Sequence, residues 1–219
     1  MELRPGPVRI PVGNIWLDAD FVPARAARGV VLFAHGSGSG RRSPRNRLVA
    51  EALQERGLGT LLLDLLSSDE AELDERTGSL RFNIPLLTNR LLAATDWLVK
   101  MPEGGSRPLG YFGASTGGAV AMIAAADRPG SVRAIVLRGA RSDLGDSRAS
   151  RIQCPTLLLA GGDDPFIEGV NRRTMELLRC EKRLMIVPGA THLFEEPGAL
   201  EEVAHQTVDW FDRWLSQTD

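Results

Sequence analysis

Cysteine, histidine and lysine are all scarce in this chain of 219 residues. Its two cysteines, Cys154 and Cys180, are too few for a disulfide framework or a four-cysteine zinc site. The three histidines, His35, His192 and His205, stand in dissimilar contexts without metal-ligand spacing, so no metal is expected. No apolar run approaches the roughly 20 residues of a membrane span. The opening MELRPGPVRIPVG lacks the apolar core of a signal peptide, which points to a cytoplasmic protein. The formal charge is only −2, too small to draw in nucleic acid or an anionic membrane. Repeats, low-complexity tracts and linker-like stretches are also missing. Of 26 cationic residues only Lys100 and Lys182 are lysine. The arginines are spread along the chain, which favours a biased genome composition over anion recognition. What remains is a single domain over residues 1–219, with 43% apolar residues to fill one full core.

Short apolar runs alternate with amphipathic helical spacing. Val8–Val12 and Ile15–Leu17 flank Gly13-Asn14, a pair suited to a hairpin turn. Val30–Ala34 is a solid apolar run, as in a strand buried on both faces. Ser43-Pro44 reads as the N-cap and first residue of a helix that ends at Gly57. Thr60–Leu63 is the next strand, followed by an acidic stretch from Asp64 to Arg81 that reads as a loop. A helix places Leu87, Leu91, Ala94, Thr95 and Leu98 on one face. Four further strands are expected at Leu109–Phe112, Val132–Leu137, Thr156–Ala160 and Leu184–Val187. Helices follow from Thr116 to about Arg128 and from about Glu168 to Leu178, and a last one carries Leu200 to Leu215. The pattern predicts an α/β fold: an eight-stranded, mostly parallel sheet with an N-terminal antiparallel hairpin and helices on both faces. Ligand sites in such sheets lie beyond the carboxyl ends of the strands.

Three strand ends carry reactive residues. Gly113-Ala114-Ser115-Thr116-Gly117 has the form G-x-S-x-G between a strand and a helix. That setting is what a nucleophile elbow requires, with Ser115 at its apex. Gly161-Gly162-Asp163-Asp164-Pro165 offers two carboxylates, Asp163 and Asp164, either of which could orient a histidine. Pro188-Gly189-Ala190-Thr191-His192 offers His192 as general base. Serine, acid, histidine is the chain order of α/β-hydrolases. The loop His35–Gly40 follows a fourth strand, and its glycines free backbone N–H groups to face a substrate oxygen. The N–H groups of Ser37 and Thr116 are the expected oxyanion hole. The loop lacks the Lys-Ser/Thr ending of a phosphate-binding P-loop. His35 is read as structural, and His205 as solvated on the last helix. Cys154 and Cys180 have no base beside them and are not nucleophile candidates.

The strings Phe33–Asn46 (FAHGSGSGRRSPRN), Leu61–Leu66 (LLLDLL), Tyr111–Gly117 (YFGASTG) and Val187–Leu200 (VPGATHLFEEPGAL) resemble the α/β-hydrolase superfamily over nearly the whole chain. The resemblance is to its dienelactone-hydrolase-like branch, including bacterial serine hydrolases sometimes fused to a phosphoribosyltransferase. It implies the acid at the fourth position of G-G-x-D, which is Asp164. It also implies no metal and no organic cofactor. Dienelactone hydrolase itself uses a cysteine nucleophile, whereas this elbow carries Ser115, which points to carboxylic esters and lactones. The implied enzyme is a serine carboxylesterase acting on a small-molecule ester, with small or aryl esters and lactones as the expected substrates and Ser115, His192 and Asp164 as triad. An acyltransferase with the same triad, or a non-catalytic domain retaining the fold, are the alternatives. No large cap insertion is visible, so an open site is expected. Arg81, Phe82 and Asn83 are candidates for a pocket wall. Arg41, Arg42 and Arg45 are read as covering the helix start and pairing with acids, against reception of an anionic substrate. Nothing in the sequence argues for a particular oligomer, although a homodimer is the commonest default.

Overall fold

The computed structural model describes residues 5–25, 28–101 and 107–216. Eight strands form one sheet: β1 (Gly6–Val12), β2 (Ile15–Val22), β3 (Val30–Ala34), β4 (Gly59–Leu63), β5 (Leu109–Ala114), β6 (Ala134–Arg138), β7 (Thr156–Gly161) and β8 (Lys182–Val187). Their spatial order is β1-β2-β4-β3-β5-β6-β7-β8. The hairpin β1–β2 is antiparallel, as is the contact of β2 with β4, and every later pair is parallel. Strands β3 to β7 are buried along their whole length, which explains their unbroken apolar runs.

Seven helices cover the sheet among the described residues: α1 (Pro44–Glu55), α2 (Ser68–Thr77), α3 (Ile84–Val99), α4 (Thr116–Asp127), α5 (Asp146–Ala149), α6 (Pro165–Leu177) and α7 (Ala199–Leu215). The alternation of strand side chains sorts them into two layers. Val31, Phe33, Phe112, Val136 and Leu157 pack against α1 and α7. Leu32, Tyr111, Ile135 and Leu158 pack on the other face, under α3 and α4. The chain leaves β3 toward one face and β5 toward the other. The strand order therefore switches between β3 and β5, where open α/β sheets place their ligands.

Two stretches differ from the sequence expectation. Asp64–Arg81 is not all loop, because Ser68–Thr77 forms α2. That helix has no apolar stripe and is held at its ends instead. Ser67 and Glu70 make a capping box, and the chain turns into the left-handed region at Gly78. The carboxylate of Asp74 then accepts the N–H groups of Leu80 and Arg81 and the Arg81 Nε–H. Burial alone would raise this carboxyl, but those donors hold it below the usual carboxylate range. Helix α6 starts at Pro165, not near Glu168, because Asp164 caps it and Pro165 takes the first position. Between β6 and β7, a short 3₁₀ turn (Ser142–Gly145) and α5 were not anticipated.

Candidate active site

Ser115 stands at the junction of β5 and α4 with φ 51° and ψ −121°, a conformation that L-residues rarely adopt. Backbone hydrogen bonds on both sides hold it there. The Ser115 N–H donates to the Arg138 carbonyl at 3.0 Å, and its own carbonyl accepts from Gly118 and Arg141, each at 3.0 Å. The sharp turn also depends on close packing. A Cβ on Gly113 would lie 2.6 Å from the Gly117 carbonyl oxygen, and one on Gly117 only 2.1 Å from that of Ala34.

The residues after β7 and β8 are tied to each other. Gly162 and Asp163 donate their N–H groups to Val187 and Ala190, each at 2.9 Å. This brings the acid loop against the histidine loop. Asp163 is exposed and contributes its backbone. The Asp164 carboxylate does two jobs with its two oxygens: Oδ1 accepts from the Ile167 N–H at 3.2 Å, capping α6, and Oδ2 lies 2.7 Å from His192 Nδ1. The other ring nitrogen, Nε2, lies 3.2 Å from Ser115 Oγ. With Nδ1–H donating to the carboxylate, Nε2 is free to accept the serine proton. Ser115, His192 and Asp164 thus form one hydrogen-bonded chain at the carboxyl edge of the sheet.

Thr116 opens α4, so its N–H has no partner within the helix. Ser37 comes alongside from the β3 loop, where its N–H donates to Thr116 Oγ1 at 2.8 Å. The two expected oxyanion donors are therefore brought together, with that of Ser37 engaged by the threonine hydroxyl. His35 supports the same loop. Its Nδ1–H donates to the Gly36 carbonyl at 2.8 Å, and Nε2 accepts from the Leu65 N–H at 3.0 Å. Burial holds this imidazole below its ordinary value, against weaker upward pulls from the Gly36 carbonyl and Asp64.

An open cleft of about 290 Å³ reaches the serine, with Phe82, Arg141, Phe166 and Ile167 in its walls. Phe82 belongs to the wall anticipated from sequence. Arg141 and Phe166 were missed, though Phe166 lies only two residues past Asp164. Arg81 faces a neighbouring cavity of about 390 Å³, lined also by Asp18, Asp64 and Asp74 and sharing Ser37 with the cleft at Ser115. Arg41 donates its backbone N–H and guanidinium to Asp64, and Arg45 pairs with Glu195 at 2.7 Å. Those two arginines are engaged with acids, while Arg42 is exposed. His205 is exposed beside Asp209. Cys154 is buried before β7, where burial and then Cys180 push its thiol up to about 12. Among the described residues no group of three His, Cys, Asp or Glu side chains is set to hold a metal. Nor is any helix among them long and apolar enough to cross a membrane.

A family model described as "Dienelactone hydrolase family" matches residues 21–217. The chain belongs to the dienelactone hydrolase family. A solved dienelactone hydrolase from Anabaena variabilis is 51% identical, covers 97% of this chain and 98% of its own, and superposes with a TM-score of 0.95. An α/β serine hydrolase without lid from Xanthomonas campestris is 18% identical and covers 100% of this chain and 99% of its own. Its TM-score of 0.77 shows the shared fold. A Mycobacterium tuberculosis protein named "Putative phosphoribosyl transferase" is 46% identical over 209 residues. That match covers 95% of this chain but 46% of the relative, so the chain spans less than half the length of the curated relatives it first matches. Family membership makes a hydrolase the supported class of activity.

Proposed function

We propose that this member of the dienelactone hydrolase family is a serine hydrolase that cleaves carboxylic esters, lactones included, through an acyl-enzyme on Ser115. The observation that carries this reading is the unbroken chain from Ser115 Oγ through His192 to Asp164. His192 Nε2 takes the serine proton as Oγ attacks the ester carbonyl carbon. Asp164 fixes the ring with Nδ1 protonated and stabilises the imidazolium that forms. The N–H groups of Thr116 and Ser37 receive the carbonyl oxygen as it becomes an oxyanion. For Ser37 this requires the Thr116 hydroxyl to yield the bond it holds. Each such donor contributes about 3 kcal/mol in comparable sites. His192 then protonates the leaving alkoxide, and water, activated by the same imidazole, hydrolyses the acyl-enzyme. No metal or organic cofactor is needed for these steps.

The positive φ of Ser115 supports the reading, since strain at a residue this firmly held is characteristic of reactive sites. The transferase name of the longer mycobacterial relatives is not extended to this chain, because the match covers only 46% of their length. Labelling the purified protein with a fluorophosphonate probe tests the proposal. The wild type is expected to take up one probe, and Ser115→Ala none. Undiminished labelling of Ser115→Ala would remove Ser115 from the mechanism.

A further inference from the structure

Five of the seven phenylalanines, Phe21, Phe33, Phe112, Phe194 and Phe211, are no more than 1% exposed. The other two, Phe82 and Phe166, are 59% and 58% exposed, and both line the triad cleft. The two exposed phenylalanines therefore share one place, the cleft at the nucleophile, where a ligand would take both rings out of water. We infer that the cleft accepts esters bearing a flat aromatic ring, which Phe82 and Phe166 hold beside Ser115. This names a substrate class for the serine hydrolase proposed above and rests on that reading.

Both rings are carried by firmly held backbone. Phe82 follows the turn that Asp74 fixes through the Leu80 and Arg81 N–H groups, and the Asn83 N–H bonds back to Leu80. Phe166 sits in the first turn of α6, directly after the capped Asp164-Pro165 start. The Arg141 guanidinium lies 5.4 Å from its ring centroid. That guanidinium is itself held by two bonds of 2.9 Å to Asp143. One face of the site is therefore an arginine-braced ring, and a second ring arrives from the turn before α3.

The charged groups in the walls already have partners: Arg141 is paired with Asp143, and Asp164 accepts the His192 Nδ1–H. An anionic substrate would have to compete with Asp143 for the arginine, whereas an apolar ring meets the phenylalanines without breaking any bond. Ring-on-ring contacts contribute beyond the area they bury, by amounts that correspond to about two- to tenfold in affinity. That surplus favours an aromatic ring over a saturated one of similar size.

Two matched ester pairs test this without changing the leaving group's character within a pair. Ethyl hydrocinnamate and its cyclohexyl analogue place the ring on the acyl side. Phenethyl acetate and cyclohexylethyl acetate place it on the alcohol side. The wild type is expected to prefer the aromatic member of at least one pair by about tenfold in kcat/KM. Phe82→Leu and Phe166→Leu keep apolar walls but remove a ring, and each should reduce that preference, chiefly through KM. Equal turnover within both pairs, or a preference that survives both leucine variants, overturns the inference while leaving ester hydrolysis intact. If no ester is cleaved, the hydrolase reading fails, and calorimetric binding of the same pairs to Ser115→Ala decides the ring question alone. Tighter binding of an aromatic member supports it, and equal binding overturns it.

Discussion

Replacing Gly117 by alanine places a methyl carbon 2.1 Å from the Ala34 carbonyl oxygen and 2.5 Å from that of His35. Both obstacles are backbone, so no side chain can swing aside. Real Cβ atoms essentially never approach another heavy atom closer than 3.0 Å. The end of β3 and the first turn of α4 must therefore separate by about 1 Å, an overpacking that costs about 1–3 kcal/mol. Ala34 is fully buried and paired with Gly113 across β3 and β5, which limits how the sheet can yield. The displacement falls on the loop carrying Ser37, whose N–H meets Thr116 across this gap. A misplacement of this size in a catalytic constellation can reduce kcat by about 10²-fold. Urea unfolding followed by circular dichroism gives the first number. Steady-state hydrolysis of para-nitrophenyl acetate, at a temperature where the variant is fully folded, gives the second. Gly169 in α6 is the control, because a Cβ there meets nothing within 4 Å. Gly169→Ala should stabilise by up to about 1 kcal/mol and leave turnover within about twofold. A Gly117→Ala protein with wild-type stability and kcat would refute the claim that this contact sets the oxyanion hole.

Asp164→Asn separates charge from fold, because asparagine is an equally good helix cap but a poor partner for an imidazolium. Turnover should fall by about 10³- to 10⁴-fold with less than about 1 kcal/mol of stability lost, read from paired kinetics and urea melts. His35 is held below its ordinary 6.5 by burial, so the unfolded chain binds a proton in mild acid that the folded protein refuses. Its contribution to stability is complete above pH 6.5 and is lost as pH falls toward the lower folded value. His35→Gln should flatten the dependence of unfolding free energy on pH between neutrality and mild acid, and an unchanged slope would contradict this. Arg138 is buried with Nε and Nη1 unpartnered, and burial, then Arg45, lower its guanidinium to about 10. Arg138→Met should match or exceed wild-type stability, by up to about 3 kcal/mol in a urea melt, and a large loss would show that the charge has a partner.

The sheet and the meeting of Ser115, His192 and Asp164 at its edge were legible because the signals there are local and redundant. Each parallel strand is a short apolar run, and each reactive residue lies within five residues of the end of one. The choice between Asp163 and Asp164 needed either a family resemblance or the structure, in which Asp163 turns outward while Asp164 meets His192. Helix α2 was illegible to periodicity because it buries little beyond Asp74. Its signals were the caps: Ser67 and Glu70 have capping-box spacing, and Gly78 is a helix stop. Asp164-Pro165 carries the same N-cap and proline signature as Ser43-Pro44, which sets the start of α6 ahead of the expected Glu168. The aromatic wall was only half visible, since nothing in the sequence distinguishes an exposed phenylalanine from a buried one.

The acyl-enzyme is the most direct test of the account. Para-nitrophenyl acetate is mixed with the protein, the reaction is acid-quenched within the first turnover, and peptides are mapped by mass spectrometry. An acetyl group on the peptide bearing Ser115, absent from Ser115→Ala, is the predicted result. Acetylation elsewhere, or ester hydrolysis that persists undiminished in Ser115→Ala, would contradict it.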